Sequence, residues 1–121
     1  MDASLRIELF PADLDRAIGF YQRLGFRLRG RTDHPRYATL LYGGVQLGLA
    51  EADPVPPEQR SIPSGAEIVI EVGDVRAVHD QVVAAGVVLT DELQERPWGL
   101  TDFRVTDPDG YYLRFTNRRG A

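Results

Sequence analysis

The sequence contains no cysteine, and although it has 14 basic residues it contains no lysine, so each of them is an arginine. Without cysteine, the chain can form no disulfide, no thiolate metal site and no cysteine nucleophile. Without lysine, it has no side-chain amine that could form a Schiff base with a carbonyl substrate. The composition alone therefore excludes both kinds of covalent chemistry.

Long apolar runs are also missing, although hydrophobic residues make up 43% of the 121 positions. A membrane-spanning helix needs about 20 consecutive apolar residues, so we expect no membrane partner. The first residues contain no positive stretch followed by an apolar run, which favours a cytoplasmic location. The net charge of −4 argues against nucleic acid as a partner, because the phosphate backbone attracts basic surfaces.

The two halves of the chain repeat the same order of apolar, capping and turn residues. The string FPADLDRAIGFYQRLGFRL of the first half can be set over EVGDVRAVHDQVVAAGVVL of the second. Asp13 then matches Asp74 and Gly25 matches Gly86, both at a distance of 61 residues (74 − 13 and 86 − 25). Few positions are identical, so a chance likeness is the alternative. The shared physical order favours a true repeat.

Each half is predicted to form a strand, a helix and three further strands. An alternating strand comes first, then an aspartate that can cap a helix, a helix with one apolar stripe, and a glycine that ends it. Gly43-Gly44 and Asp107-Pro108-Asp109-Gly110 are typical hairpin turns. The strands are predicted over residues 5–10, 26–31, 37–42 and 45–50, and over residues 66–72, 87–93, 101–106 and 111–117.

The predicted fold class is α+β, with two βαβββ modules that form a curved mixed sheet with a concave ligand face. Residues 1–121 are expected to be a single domain. Its first module covers about residues 1–52 and its second about residues 66–121. Between them, residues 53–65 are rich in proline and polar residues, which predicts a linker.

This repeated order resembles the vicinal-oxygen-chelate superfamily, which includes glyoxalases, bleomycin-resistance proteins and dioxygenases. The string DLDRAIGFYQRLGF is similar to the first helix of that family, and RPWGLTDFRVTDPDGYYLRF is similar to its final hairpin. Pro-Trp-Gly followed by Asp-Pro-Asp-Gly particularly resembles the bleomycin-resistance proteins. The resemblance covers nearly the whole chain.

Enzymes of that superfamily hold a divalent metal on the concave face, with one ligand from the first and one from the last strand of each module. The matching positions here are Arg6, Gly48, Glu67 and Arg114. Arginine offers no lone pair to a metal, and glycine has no side chain. We therefore expect no metal, no cofactor and no catalytic residue.

Arg6, Glu67 and Arg114 are predicted to form an ion-pair cluster in place of a metal; the alternative is that each points into water. Because side chains alternate along a strand, other residues should share this face. Tyr42 and Phe103 are further candidates for aromatic walls, and Trp98 either stacks on a ligand or packs its own loop. The predicted ligand-binding residues are Arg6, Glu8, Phe10, Gly48, Glu67, Trp98, Tyr112 and Arg114.

The leading interpretation is a non-catalytic protein that binds and sequesters a small molecule, such as an antibiotic or a bulky metabolite. Aromatic and acidic side chains favour a planar aromatic or cationic ligand. The resemblance to bleomycin-resistance proteins also implies a homodimer and a role in antibiotic resistance. The alternatives are a glyoxalase-like metal-dependent lyase, isomerase or dioxygenase with an atypical site, and a purely structural or regulatory module.

Overall fold

The computed structural model describes Asp2, residues 4–53 and residues 67–118. The predicted linker lies almost entirely outside these residues, so the module boundaries stay a prediction. No helix within the described ranges is long and apolar enough to cross a membrane. The elements in chain order are β1 (Ile7–Leu9), α1 (Leu14–Leu24), β2 (Arg27–Asp33), β3 (Arg36–Tyr42), β4 (Val45–Ala50), β5 (Ile68–Val72), α2 (Val75–Ala84), β6 (Asp91–Glu95), β7 (Thr101–Thr106) and β8 (Tyr112–Asn117).

The strands form two mixed four-stranded sheets, with the orders β1-β4-β3-β2 and β5-β8-β7-β6. In each sheet the first and last strands of the module run parallel, and the other neighbours are antiparallel. The predicted α+β class and the two βαβββ modules are therefore confirmed. Each module keeps its own hydrogen-bonded sheet.

Both helices begin at the aspartates that the repeat predicts as caps. The Asp13 carboxylate accepts a hydrogen bond from Arg16 N at 3.1 Å, and the Asp74 carboxylate accepts one from Ala77 N at 3.0 Å. These bonds satisfy N–H groups that have no partner inside the helix. The first helix ends at Gly25, whose φ of 109° lies in the left-handed region that glycine tolerates best.

One hydrophobic core serves both modules. Tyr21 of α1 and Phe115 of β8 are both fully buried in it. Tyr42 of the first sheet approaches Phe115 of the second, with ring centroids 6.2 Å apart. The helix-covered faces of the two sheets therefore meet in a shared core. This packing accounts for the two separate sheets, since the modules are joined through side chains rather than through strand pairing.

Two predictions about individual residues are wrong for packing reasons. Phe103 is fully buried and stacks on Phe115 at 5.1 Å, and Tyr42 lies on the same helix-covered side, so neither lines the opposite face. The strand predicted from residue 87 begins only at Asp91, where pairing with β7 starts. Val87 instead follows the end of α2 and packs into the core.

Candidate functional site

We call the side of each sheet that points away from the shared core its uncovered face. Burial confirms the predicted alternation, because Leu9 and Leu113 are buried while their strand neighbours Glu8 and Tyr112 are more exposed. The first sheet carries Arg6, Glu8, Phe10 and Gly48 on this face, and the second carries Glu67, Tyr112 and Arg114.

Strand register settles which residues of the two modules are equivalent. Gly48 is the partner of Glu8 in the first sheet, and Arg114 is the partner of Val69 in the second. Glu8 and Val69 are 61 residues apart (69 − 8), the spacing of the sequence repeat. Gly48 and Arg114 therefore occupy equivalent positions, as the sequence predicts.

On the first uncovered face, Tyr37 lies across Gly48. A Cβ atom at Gly48 would collide with the Tyr37 hydroxyl. This hydroxyl is 3.5 Å from Glu8 Oε2, and Arg6 Nε lies 3.2 Å from the same oxygen. Arg6 thus pairs with its neighbour Glu8, and the prediction that it joins Glu67 is wrong. Arg6 directly precedes β1 and Glu67 directly precedes β5, so the two residues flank strands of different sheets.

The second uncovered face holds a closed ring of three arginines and three carboxylates, which we call the ion-pair ring. Opposite charges alternate around it, so it is neutral as a whole. In order, its members are Asp91, Arg96, Asp102, Arg114, Glu67 and Arg104. The six nitrogen–oxygen distances, taken in that order and returning to the first residue, are 2.6, 2.8, 3.6, 3.5, 3.1 and 2.8 Å.

Glu67 explains how two arginines can stand side by side on this sheet. Arg104 and Arg114 are direct cross-strand partners, a placement that is unfavourable for like charges. Glu67 Oε1 contacts the Nε atoms of both, at 3.1 and 3.5 Å. The predicted contact between Glu67 and Arg114 is therefore present. The Arg104 guanidinium also lies over the ring of Tyr112, 5.8 Å from its centroid.

Two arginines of the ring lower the pKa of Asp91. Burial alone would raise the pKa of Asp91, but hydrogen bonds from Arg96 and Arg104 outweigh burial and leave this pKa below its ordinary value. The hydrogen bond to Asp102 is the largest influence that raises the pKa of Arg96. Asp102 itself is fully buried, with its Oδ1 2.8 Å from Arg96 Nε. All three arginines therefore have carboxylate partners and none is spare.

Four ring members, Asp91, Arg96, Asp102 and Arg104, are not among the residues that the sequence predicts for the site. Alternation along Thr101–Thr106 puts Asp102 and Arg104 on one face, so that pattern contains a usable signal. Asp91 and Arg96 have no comparable signal, because their roles depend on how β6 pairs with β7.

The residues at the family's metal positions do not fit a divalent cation. Glu67 is the sole carboxylate among them, and two guanidiniums already compete for it. Within residues 4–53 and 67–118, no group of three or more His, Cys, Asp or Glu side chains could hold a metal. His79 instead lies next to Phe103 and contacts Asp80. Metal independence in solution stays a prediction.

Two aromatic side chains of the predicted set are exposed. Phe10 is 49% exposed and Trp98 is 57% exposed. Trp98 lies in the turn between β6 and β7, which is closed by a 2.7 Å hydrogen bond from Arg96 N to Leu100 O. Arg96 belongs to the ion-pair ring, so the turn that carries Trp98 begins at a member of that ring.

Comparison with known proteins identifies the family. Residues 4–115 match the family model of the Glyoxalase/Bleomycin resistance protein/Dioxygenase superfamily, and the chain therefore belongs to that superfamily. TioX from Micromonospora sp. ML1 is 30% identical, with 96% of this chain and 98% of that chain covered and a TM-score of 0.77. No curated protein matches the chain at a significant level.

Two further solved structures share the fold at lower identity. The bleomycin resistance determinant encoded on transposon Tn5 is 22% identical, with 98% and 99% of the two chains covered and a TM-score of 0.79. A bleomycin-binding protein solved in complex with bleomycin is also 22% identical, with the same coverage and a TM-score of 0.73. At this identity, the likeness shows the fold alone.

Proposed function

We propose that this protein is a non-catalytic binding protein that sequesters an antibiotic or a similarly bulky metabolite. The ion-pair ring carries this proposal. It lies where the superfamily's enzymes take metal ligands from their second module, and it pairs Glu67 with Arg104 and Arg114. These side chains do not form a binding site for the metal ion that acts as the Lewis acid in metal-dependent lyases and dioxygenases.

The chemistry of the uncovered faces supports a planar aromatic or cationic ligand. Phe10 and Trp98 offer exposed rings on which a flat molecule can stack. The arginines of the ion-pair ring are already matched by carboxylates, so they favour no anion. Glu71, which is exposed on β5 next to the second uncovered face, adds a negative charge that attracts a cation.

A homodimer is part of the proposal. The proposed site residues lie on two faces, and within the described ranges no side-chain hydrogen bond or ion pair joins the site residues of one face to those of the other. In such a dimer, the second uncovered face of one copy would lie against the first uncovered face of the other copy. The site residues of both faces would then contact the same ligand. The bleomycin-binding protein of the same fold was solved with bleomycin, which supports room for a bulky antibiotic in this architecture.

Two measurements test the function together. Metal analysis of protein purified without chelator should find no stoichiometric divalent ion. A thermal-shift panel of bleomycin, other cationic antibiotics and planar aromatic metabolites should show stabilisation that is independent of added divalent metal. The stabilising compound should be recovered chemically unchanged. One bound metal ion per chain, or conversion of the compound to a product, would favour a glyoxalase-like enzyme instead.

A further inference from the structure

A cavity of about 560 Å³ lies between the turn that joins β3 to β4 and the segment that leads from β5 into α2. This volume is within the range of about 300–1,000 Å³ that is usual for small-molecule sites. None of the eight predicted ligand residues lines it. Its walls include Tyr42, Val45, Val69 and Val78, and its charged residues are Glu71, Asp74 and Arg118.

The other half of the molecule shows how the equivalent place is filled. There, the turn between β7 and β8 packs against the start of α1. Asp109 Oδ1 accepts a 2.9 Å hydrogen bond from Ala12 N and lies 3.6 Å from Arg16 Nη2. The Tyr111 hydroxyl accepts a 3.2 Å hydrogen bond from Phe10 N. A carboxylate and a phenol from one module thus occupy the space beside the helix start of the other.

The two turns correspond residue by residue at their ends. Tyr42 pairs with Val45 in the first module, and Asp107 N donates to Tyr111 O at 2.8 Å in the second. Gly43-Gly44 is therefore the counterpart of the Pro108, Asp109 and Gly110 segment. It is one residue shorter and has no side chains. Nothing in the first-module turn can reach the start of α2, and this difference explains the cavity.

The cavity keeps the groups that hold a carboxylate in the other half. The counterpart of Ala12 is Gly73, 61 residues later (73 − 12), and its backbone lines the cavity. Arg118 corresponds in space to Arg16, because its Nη1 lies 3.8 Å from the point where a Cβ on Gly73 would stand. Within residues 4–53 and 67–118, Arg118 forms no ion pair, so its charge is available.

We propose that this cavity is a second ligand site, which binds a small organic carboxylate with an apolar or phenolic body. The carboxylate takes the position of the Asp109 side chain, against the Gly73 backbone and the Arg118 guanidinium. The apolar body packs on Tyr42 and the valines. The site borders the second uncovered face through Val69 and Glu71, but none of its lining residues belongs to the ion-pair ring. Its ligand differs in charge from the cationic ligand proposed for the uncovered faces.

The test uses the full chain, 4-hydroxyphenylacetate as the probe and isothermal titration calorimetry as the readout. The acid should bind saturably, and the uncharged 4-hydroxyphenylacetamide should bind at least about tenfold more weakly, because a charge-assisted hydrogen bond is lost. Arg118→Gln should weaken binding of the acid by about tenfold. Arg29→Gln removes the same charge from an exposed position on β2 and should leave affinity unchanged.

Two further variants separate this site from a general charge effect. Glu71→Gln removes a negative charge from the lining and should tighten binding of the acid. Gly44→Asp supplies a carboxylate from the turn and should abolish binding; a Cβ there meets no atom within 4 Å, so the fold should tolerate it, which its melting temperature will show. Equal affinity for acid and amide, or equal losses in Arg118→Gln and Arg29→Gln, would overturn the proposal.

Discussion

The Tyr21 hydroxyl donates a 2.7 Å hydrogen bond to Asp107 Oδ2 and so joins the first helix to the last hairpin. The other carboxylate oxygen accepts hydrogen bonds from Asp109 N at 2.9 Å and Tyr111 N at 2.8 Å. Burial nevertheless raises the pKa of Asp107, and burial is also the largest influence that raises the pKa of Tyr21 well above its usual value. The two modules are therefore held together by a buried polar contact as well as by the shared core.

Removing this hydroxyl should destabilise the protein. Tyr21→Phe keeps the ring contacts with Phe20 and Phe26 but leaves the buried Asp107 carboxylate without its donor on α1. A hydrogen bond to a charged group contributes about 1.5–3 kcal/mol, and urea unfolding should show a loss of that size. Tyr37→Phe deletes the same atom from a partly exposed side chain and should cost less than about 0.5 kcal/mol. Equal losses in both variants would contradict the role given to Asp107.

Two aspartates should have opposite effects on how steeply stability falls as the pH is lowered. The pKa of Asp15 is lowered by hydrogen bonds from Arg31 and then Arg36, so its contribution is lost as pH falls through its folded value. The pKa of Asp107 is raised by burial, so its contribution is present below about pH 3.9 and is lost as pH rises through its folded value. Asp15→Asn should therefore flatten the loss of stability on acidification, and Asp107→Asn should steepen it. Thermal melts between about pH 6 and pH 3 measure both slopes, and slopes that change in the same direction would refute the assignment.

Gly48 and Tyr37 should be energetically coupled. In the wild-type background, Gly48→Ala forces the Tyr37 hydroxyl to move away and should destabilise the protein by about 1 kcal/mol. In a Tyr37→Ala background the new methyl group meets only Glu8 Oε2, at 3.3 Å, so the same change should cost clearly less. A double-mutant cycle by urea unfolding gives the coupling energy, and additive effects would show that Tyr37 does not cover Gly48.

The ion-pair ring should depend on Glu67 for its stability. Glu67→Gln removes the negative charge that separates the cross-strand pair Arg104 and Arg114. Because the ring is partly exposed, we expect a loss of about 1–2 kcal/mol, which is below the cost of breaking a fully buried pair. Glu92→Gln, on an exposed position of the neighbouring strand β6, should change stability by no more than about 0.5 kcal/mol. The ring would lose its structural role if the two variants unfolded at the same urea concentration.

Trp98, the single tryptophan, should report on ligand binding at the uncovered faces. Its fluorescence should change saturably with the compound that gives the largest thermal shift, because its indole is exposed in the turn that starts at the ring member Arg96. Trp98→Ala should weaken binding by about 1–3 kcal/mol in calorimetry, as expected for an aromatic anchor. The cavity probe 4-hydroxyphenylacetate should bind Trp98→Ala as tightly as the wild type. Unchanged affinity of the first compound would place its site elsewhere.

Much of the fold follows from local rules that a sequence displays directly. Asp13 and Asp74 cap helices because a carboxylate can reach the free N–H groups at a helix start, whatever the rest of the chain does. Alternation likewise places Glu67 and Arg114 on one face. The predicted start of β6 is wrong because an apolar Val87 fits a strand as well as a core position after α2. Only the pairing with β7 decides where the strand begins.

By itself, then, the sequence determined the element order, the helix caps, the faces of the strands and the residue types at the family's metal positions. The tertiary structure alone decided that Arg6 pairs with Glu8, that six charges close into a ring, and that a cavity remains beside Gly43-Gly44. The physical reason is the separation along the chain over which each interaction acts. Capping and alternation act within a few residues, whereas ion pairs and cavities depend on which strands become neighbours and how two modules pack.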